Sequence, residues 1–150
     1  MTLRAADAVR HFGLEPKVAL LSHSNFGSSE HPSARKMREA LLLIRERAPD
    51  LEVEGEMHAD AAIDETIRHR IFPNSRLKGS ANLLILPTLD AANIAFNALK
   101  VLGDGQPVGP LLLGSAKPAH IVTPSVTVRG LVNMTAVAVY DAQVSARAGD

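Results

Sequence analysis

Apolar residues fall into two kinds of pattern along the chain. Short unbroken runs at 17–21 (KVALL) and 82–86 (NLLIL) have the length of buried strands, and 108–113 predicts another. Residues 51–57 (LEVEGEM) alternate apolar with polar, which predicts a strand with one wetter face. Between these runs the spacing changes to three and four. Ala34, Met37, Leu41, Ile44 and Ala48 make an amphipathic stripe that starts at Pro32 and stops near Pro49. Arg35, Arg38, Glu39, Arg45 and Glu46 lie off the stripe and are expected in water. Further helices are predicted at 3–12, closed by Gly13, and from Asp60 through Ile63, Ile67 and Ile71 to Pro73. A helix at about 90–102 is apolar over a wide arc, which suits burial on two sides, in the core or against another subunit. A last helix at about 125–146 is rich in Val, Thr and Gly, so packing must stabilise it. Residues 120–122 are expected to form a short extended piece held by Pro124.

This alternation predicts an α/β fold, a sheet layered with helices and at least partly parallel. Ligands of such sheets sit outside the carboxyl ends of the strands. Here those ends are expected at 22–29, 87–90 and 114–125. A length of 150 residues suits a single domain. Formal net charge is zero, which argues against a nucleic-acid binder and offers little electrostatic resistance to self-association. No apolar run reaches the roughly 20 residues a membrane helix needs, and no signal segment opens the chain, so a cytoplasmic location is the default. The absence of cysteine removes disulfides and cysteine–zinc sites.

Two stretches concentrate donors without carboxylates. Residues 22–29 (SHSNFGSS) form a loop rich in hydroxyls and turn formers, with no acid between Glu15 and Glu30. Residues 109–133 hold Lys117 and Arg129 inside a window free of acids from Asp104 to Asp141. Cations and small donors without a counter-charge suit an anionic ligand, and they equally suit an ordinary connection whose cations face water. Residues 66–89 are the most basic part, with Arg68, Arg70, Arg76 and Lys78, either a solvated helix end or a docking surface for phosphates. The six histidines have no carboxylate at ligand spacing, which makes scattered surface histidines the better reading than a metal site. Gly103-Asp104-Gly105 is a helix stop, and no P-loop, GxGxxG or GxSxG is present.

Four segments resemble the C-terminal half of phosphotransacetylases: VALLSHSNFGS at 18–28, GSANLLILPTLDAANIA at 79–95, GPLLLGSAKP at 109–118 and LVNMTA at 131–136. The resemblance implies an architecture like that of isocitrate and isopropylmalate dehydrogenases and, in active members, acetyl transfer between coenzyme A and phosphate. After the Lys-Pro pair that family carries a Ser-Arg-Gly segment and, beyond it, an aspartate. The serine and aspartate serve catalysis and the arginine binds anion. Counted forward from Pro118 without a gap, these places fall on Thr123, Pro124 and Ser125, and the aspartate's on Gly130. The run His120-Ile121-Val122-Thr123-Pro124-Ser125 with Arg129 and Asn133-Met134-Thr135-Ala136 is more similar to the phosphotransacetylase-like tail of large bacterial NADP-dependent malic enzymes.

That resemblance implies the C-terminal part of a regulatory domain within a larger chain. Such a domain binds acetyl-CoA as an inhibitor without turning it over and helps assemble a homo-oligomer. Its partner is the malic enzyme catalytic domain, where NADP and a divalent metal are expected; none is expected in this part. Ser22, Ser24, Asn25, Gly27 and Ser28 would contact the acyl or thioester end. Lys117, His120, Thr123, Ser125 and Arg129 would line the facing wall, and Arg76 and Lys78 would meet the nucleotide phosphates. The alternatives are an active phosphate acetyltransferase with a rearranged site and a purely structural oligomerisation module.

Overall fold

The strands of the protein form a parallel sheet in the order β2-β1-β3, made of β1 (Lys17–Leu21), β2 (Glu52–Met57) and β3 (Leu83–Ile85). A computed structural model describes residues 1–147. The chain divides into two compact units, Met1–Phe96 and Asn97–Asp150, and the sheet lies wholly in the first.

In the first unit, both faces of the sheet are covered, as parallel sheets require. Successive side chains of β1 point to opposite faces. Val18 and Leu20 pack with Ala6 of α1 (Thr2–His11) and with Met37, Leu41 and Ile44 of α2 (Pro32–Arg47). Ala19 and Leu21 pack with Met57, Leu77 and the alanines 61 and 62 of α3 (Ala59–Ile63). The stripe read from α2 is thus the face it buries. Gly13 closes α1 at φ +77°, and Leu14 N–H reaches back to Val9 O at 3.3 Å, so the last carbonyls are satisfied.

The helix expected from Asp60 to Ile71 is broken in two. Asp64 ends α3 and caps α4 (Glu65–Ile71), its carboxylate accepting from Thr66 N at 2.7 Å and Ile67 N at 3.2 Å. These bonds, from Ile67 and then Thr66, hold the Asp64 carboxyl below its ordinary value. A capping aspartate inside a periodic run wins over the period.

β2 has no wet face. Its residues are buried except for half-buried Glu52, although three of the six are glutamates. Alternate carboxylates moor neighbouring segments. Glu52 accepts from Lys78 N at 2.6 Å, Glu54 from Arg76 N at 2.8 Å, and Glu56 from Gly27 N at 2.9 Å. Arg38 and Arg45, expected in water, lie half-buried and pair with Glu56 at 3.0 Å and Glu54 at 2.8 Å. Buried charge tolerates such a strand only because each carboxylate is met by a cation or by backbone donors.

α5 (Leu89–Leu102) begins with Thr88 Oγ1 accepting from Ala91 N at 3.1 Å. None of its residues is buried within this chain, and Leu89, Ile94, Leu99, Val101 and Leu102 are exposed, so the core does not take up the wide apolar arc.

The second unit holds α6 (Val128–Arg147), with Met134 buried and Thr127 Oγ1 accepting from Gly130 N at 3.0 Å at its start. Residues 108–113 form no strand and 120–122 no extended pairing among the described residues. Pro110 has no N–H to give, Gly109 sits at φ +139°, and Leu112 and Leu113 are 46% and 41% exposed. An apolar run becomes a buried strand only where a neighbouring strand meets it. No described helix is long and apolar enough to cross a membrane.

Candidate functional site

The three parallel strands end on one edge of the sheet, where α/β proteins bind ligands. The 22–29 loop leaves β1 there, as the sequence predicts. The 114–125 stretch follows no strand among the described residues, so the expectation that it sits at a strand end is not met.

The 22–29 loop closes over a bulge in β2. The register steps from Leu20 opposite Gly55 to Leu21 opposite Met57, which leaves Glu56 as the extra residue. Gly55 makes the step possible, because a Cβ there would lie 2.7 Å from both Leu20 Cβ and Leu20 O. Glu56 Oε1 accepts from Ser24 Oγ at 2.7 Å, Gly27 N at 2.9 Å and Arg38 Nη1 at 3.0 Å, and its carbonyl accepts from Phe26 N at 2.7 Å. Burial pushes the Glu56 carboxyl up, but the hydrogen bonds from Ser24, Gly27 and Arg38 outweigh it and hold the group below its ordinary 4.5.

The sequence-predicted loop residues divide by exposure. Ser24 is fully buried: its hydroxyl is spent on Glu56, bonds Ser28 Oγ at 3.1 Å and accepts from Ser29 N at 3.1 Å. It acts as an internal strut of the loop. Ser22 Oγ accepts from Ser24 N, and Asn25 Oδ1 accepts from His58 N at 2.8 Å. Gly27 and Ser28 are exposed at the tip.

Arg76 and Lys78 are exposed, with their backbone N–H groups tied to β2. The Arg76 guanidinium also donates to Pro49 O at 3.0 Å. Arg68, read as part of the same basic surface, is fully buried. Its guanidinium donates to the carbonyls of Ala61, Ala62, Leu77 and Gly79, and joins α3 to the segment that follows α4.

In the second unit, Lys117, Thr123, Ser125 and Arg129 are exposed, with Thr123 Oγ1 and Ser125 Oγ 2.9 Å apart. His120 has its side chain turned inward. Its side chain is 6% exposed; Leu112 N–H meets Nδ1 at 3.4 Å, and Nε2 lies 3.2 Å from Asp141 Oδ2. Asp141 lies at the edge of the acid-free window in sequence but returns to it in space. Among the described residues no three His, Asp or Glu are grouped to hold a metal ion.

Sequence reasoning missed Glu56 and Arg38. A signal existed: Arg38 and Arg45 stand two helical turns apart on α2, and Glu54 and Glu56 stand two residues apart on the next strand.

Residues 1–139 match the phosphate acetyl/butaryl transferase family. The chain belongs to that family. It is 58% identical over 144 residues to the NADP-dependent malic enzyme of Escherichia coli K12, covering 95% of this chain and 19% of that one. It is 59% identical over 140 residues to the NAD-dependent malic enzyme of Rhizobium meliloti, covering 93% and 18%. The chain thus spans about a fifth of the length of these relatives, within their C-terminal region. Among solved structures, a phosphotransacetylase from Streptococcus pyogenes superposes with a TM-score of 0.85 at 30% identity, over 95% of this chain and 43% of that one.

Proposed function

We propose that this chain is a phosphotransacetylase-like regulatory segment of a malic enzyme, one that binds acetyl-CoA without turning it over. The reading is carried by the pairing of family membership with Pro124 and Gly130, the places on which a gapless count from Pro118 sets the arginine and aspartate of active members. Proline holds no charge and glycine takes no proton. Without a carboxylate to accept the thiol proton, acetyl transfer lacks a contribution of about 10²–10⁴ in rate. The local packing supports the same reading. A Cβ at Gly130 would lie 3.0 Å from Val126 Cγ2 and 3.2 Å from Thr127 Oγ1, so an aspartate there would push on the cap of α6.

In this reading the parent protein is cytoplasmic and converts malate to pyruvate by oxidative decarboxylation. NADP, or NAD as in the Rhizobium relative's name, and a divalent metal serve the catalytic part. Acetyl-CoA inhibits that reaction from this segment. The exposed tip at Gly27 and Ser28 meets the acyl group. The apolar side chains exposed on α5 support a role in holding a homo-oligomer together. The complete domain takes the isocitrate dehydrogenase-like architecture of its family.

The test is malate oxidation by the full-length gene product with and without acetyl-CoA. Inhibition is expected, with a coupling of about 5–150-fold between effector and substrate. A rate indifferent to saturating acetyl-CoA contradicts the proposal.

A further inference from the structure

The 22–29 loop has the composition of an anion cradle, yet the anion at its centre is the chain's own. Three donors converge on one oxygen of Glu56: the Ser24 hydroxyl, the Gly27 amide and the Arg38 guanidinium. Ser24 passes the constraint on, since its Oγ also meets Ser28 Oγ and Ser29 N. The loop apex needs that hold. Phe26 adopts φ +49°, a conformation that a bulky side chain occupies only when its surroundings over-determine it. Phe26 N and Gly27 N both donate to Glu56, the first to its carbonyl and the second to its carboxylate. The Phe26 ring stacks on Phe72 at 4.5 Å, which anchors the other side of the apex. Arg38 reaches over the far end of the loop, donating to Ser29 O at 2.8 Å and to Glu30 at 3.0 Å.

We propose that Glu56 is a positioning residue: its buried carboxylate is a built-in anion around which the loop closes, and it sets the shape of the exposed Gly27–Ser28 tip. It touches no ligand itself, being fully buried. The functional consequence rests on the reading that this tip meets the acyl end of acetyl-CoA. A further consequence is that this cradle is closed to an external phosphate, whose charge must be met by other cations.

The experiment is amide hydrogen exchange by NMR on the Glu56→Gln variant, with acetyl-CoA affinity measured on the same samples. Glutamine keeps the size and one carbonyl acceptor but removes the charge. Exchange at Phe26 and Gly27 is expected to rise by about tenfold or more, the loss of charge-assisted bonds, while Val18, Ala19 and Leu20 of β1 keep their protection. Acetyl-CoA affinity is expected to fall by a similar factor. Should Glu56→Gln fail to fold, Ser24→Ala removes one donor of the same cluster and is expected to loosen the same amides. Loop amides protected as in the parent protein overturn the proposal. A loosened loop with unchanged acetyl-CoA affinity overturns the link from loop shape to ligand. If the parent protein itself binds no acetyl-CoA, the function proposed above falls, and the exchange rates still decide what Glu56 does.

Discussion

Replacing Arg68 with methionine is expected to destabilise the first unit by about 3–5 kcal/mol. Arg68 is fully buried, and its guanidinium donates to four backbone carbonyls at distances from 2.6 to 3.4 Å. Methionine fills much of the same volume, so packing is largely kept and the loss is of donors. The carbonyls of Ala61 and Leu77 would then be buried without those partners, and that of Gly79 partly so, at about 1–3 kcal/mol for each buried group left unsatisfied. Domains of this size have only about 5–15 kcal/mol in total, so urea unfolding should show a marked drop in midpoint. Arg68→Lys is expected to fall between parent and Arg68→Met, because an ammonium is a point donor and cannot reach both sides of the fork. A midpoint within error of the parent for Arg68→Met would mean that these carbonyls find other donors.

The second large effect is expected at Gly55. An alanine there would place its Cβ 2.7 Å from both Leu20 Cβ and the Leu20 carbonyl, in the middle of β1. Neither atom is the free end of a flexible side chain, so the strands must part or the bulge must unwind. Crowding of this kind adds to the strain of an L side chain at φ +154°, together about 2–5 kcal/mol. Gly13→Ala is the control: φ there is +77°, but nothing lies within 4 Å of the added Cβ. It is expected to cost about 1 kcal/mol, strain alone. Thermal unfolding of the two variants side by side separates crowding from strain; equal costs would remove the close approach as the reason for glycine at 55. Loss of the bulge would also carry Glu56 away from Ser24, so Gly55→Ala should disturb the 22–29 loop together with the sheet.

What could be read from the sequence follows a physical line. Elements whose order comes from local periodicity and short-range stop signals were legible: β1 at its observed bounds, α2 with its buried stripe, and the Gly13 stop of α1. The position of the 22–29 loop at a strand's carboxyl end was legible for the same reason. Elements that depend on a partner far away in sequence were not. The glutamates of β2 alternate like a solvated face, and only the folded chain shows Arg38, Arg45 and the 76–78 backbone meeting them. Arg68 counts as surface charge until the carbonyls around it are in view. The contact of His120 with Asp141 joins residues 21 apart, and no local spacing announces it. The apolar run at 108–113 read as a strand, and hydrophobicity alone does not supply a neighbour. Within the loop, hydroxyl content signalled a donor-rich turn, but not that Ser24 would turn inward. The family resemblance was legible from short segments in register, and the match over residues 1–139 bears it out.

Occupancy without conversion can be decided in one vessel. Acetyl-CoA is titrated calorimetrically into the full-length gene product, and the same preparation is then given acetyl phosphate and coenzyme A while thioester formation is followed. Saturable heat with acetyl-CoA is expected, with no thioester formed above the uncatalysed rate. Catalysed formation of the thioester, or a titration without heat and without a shift in thermal unfolding, would contradict it.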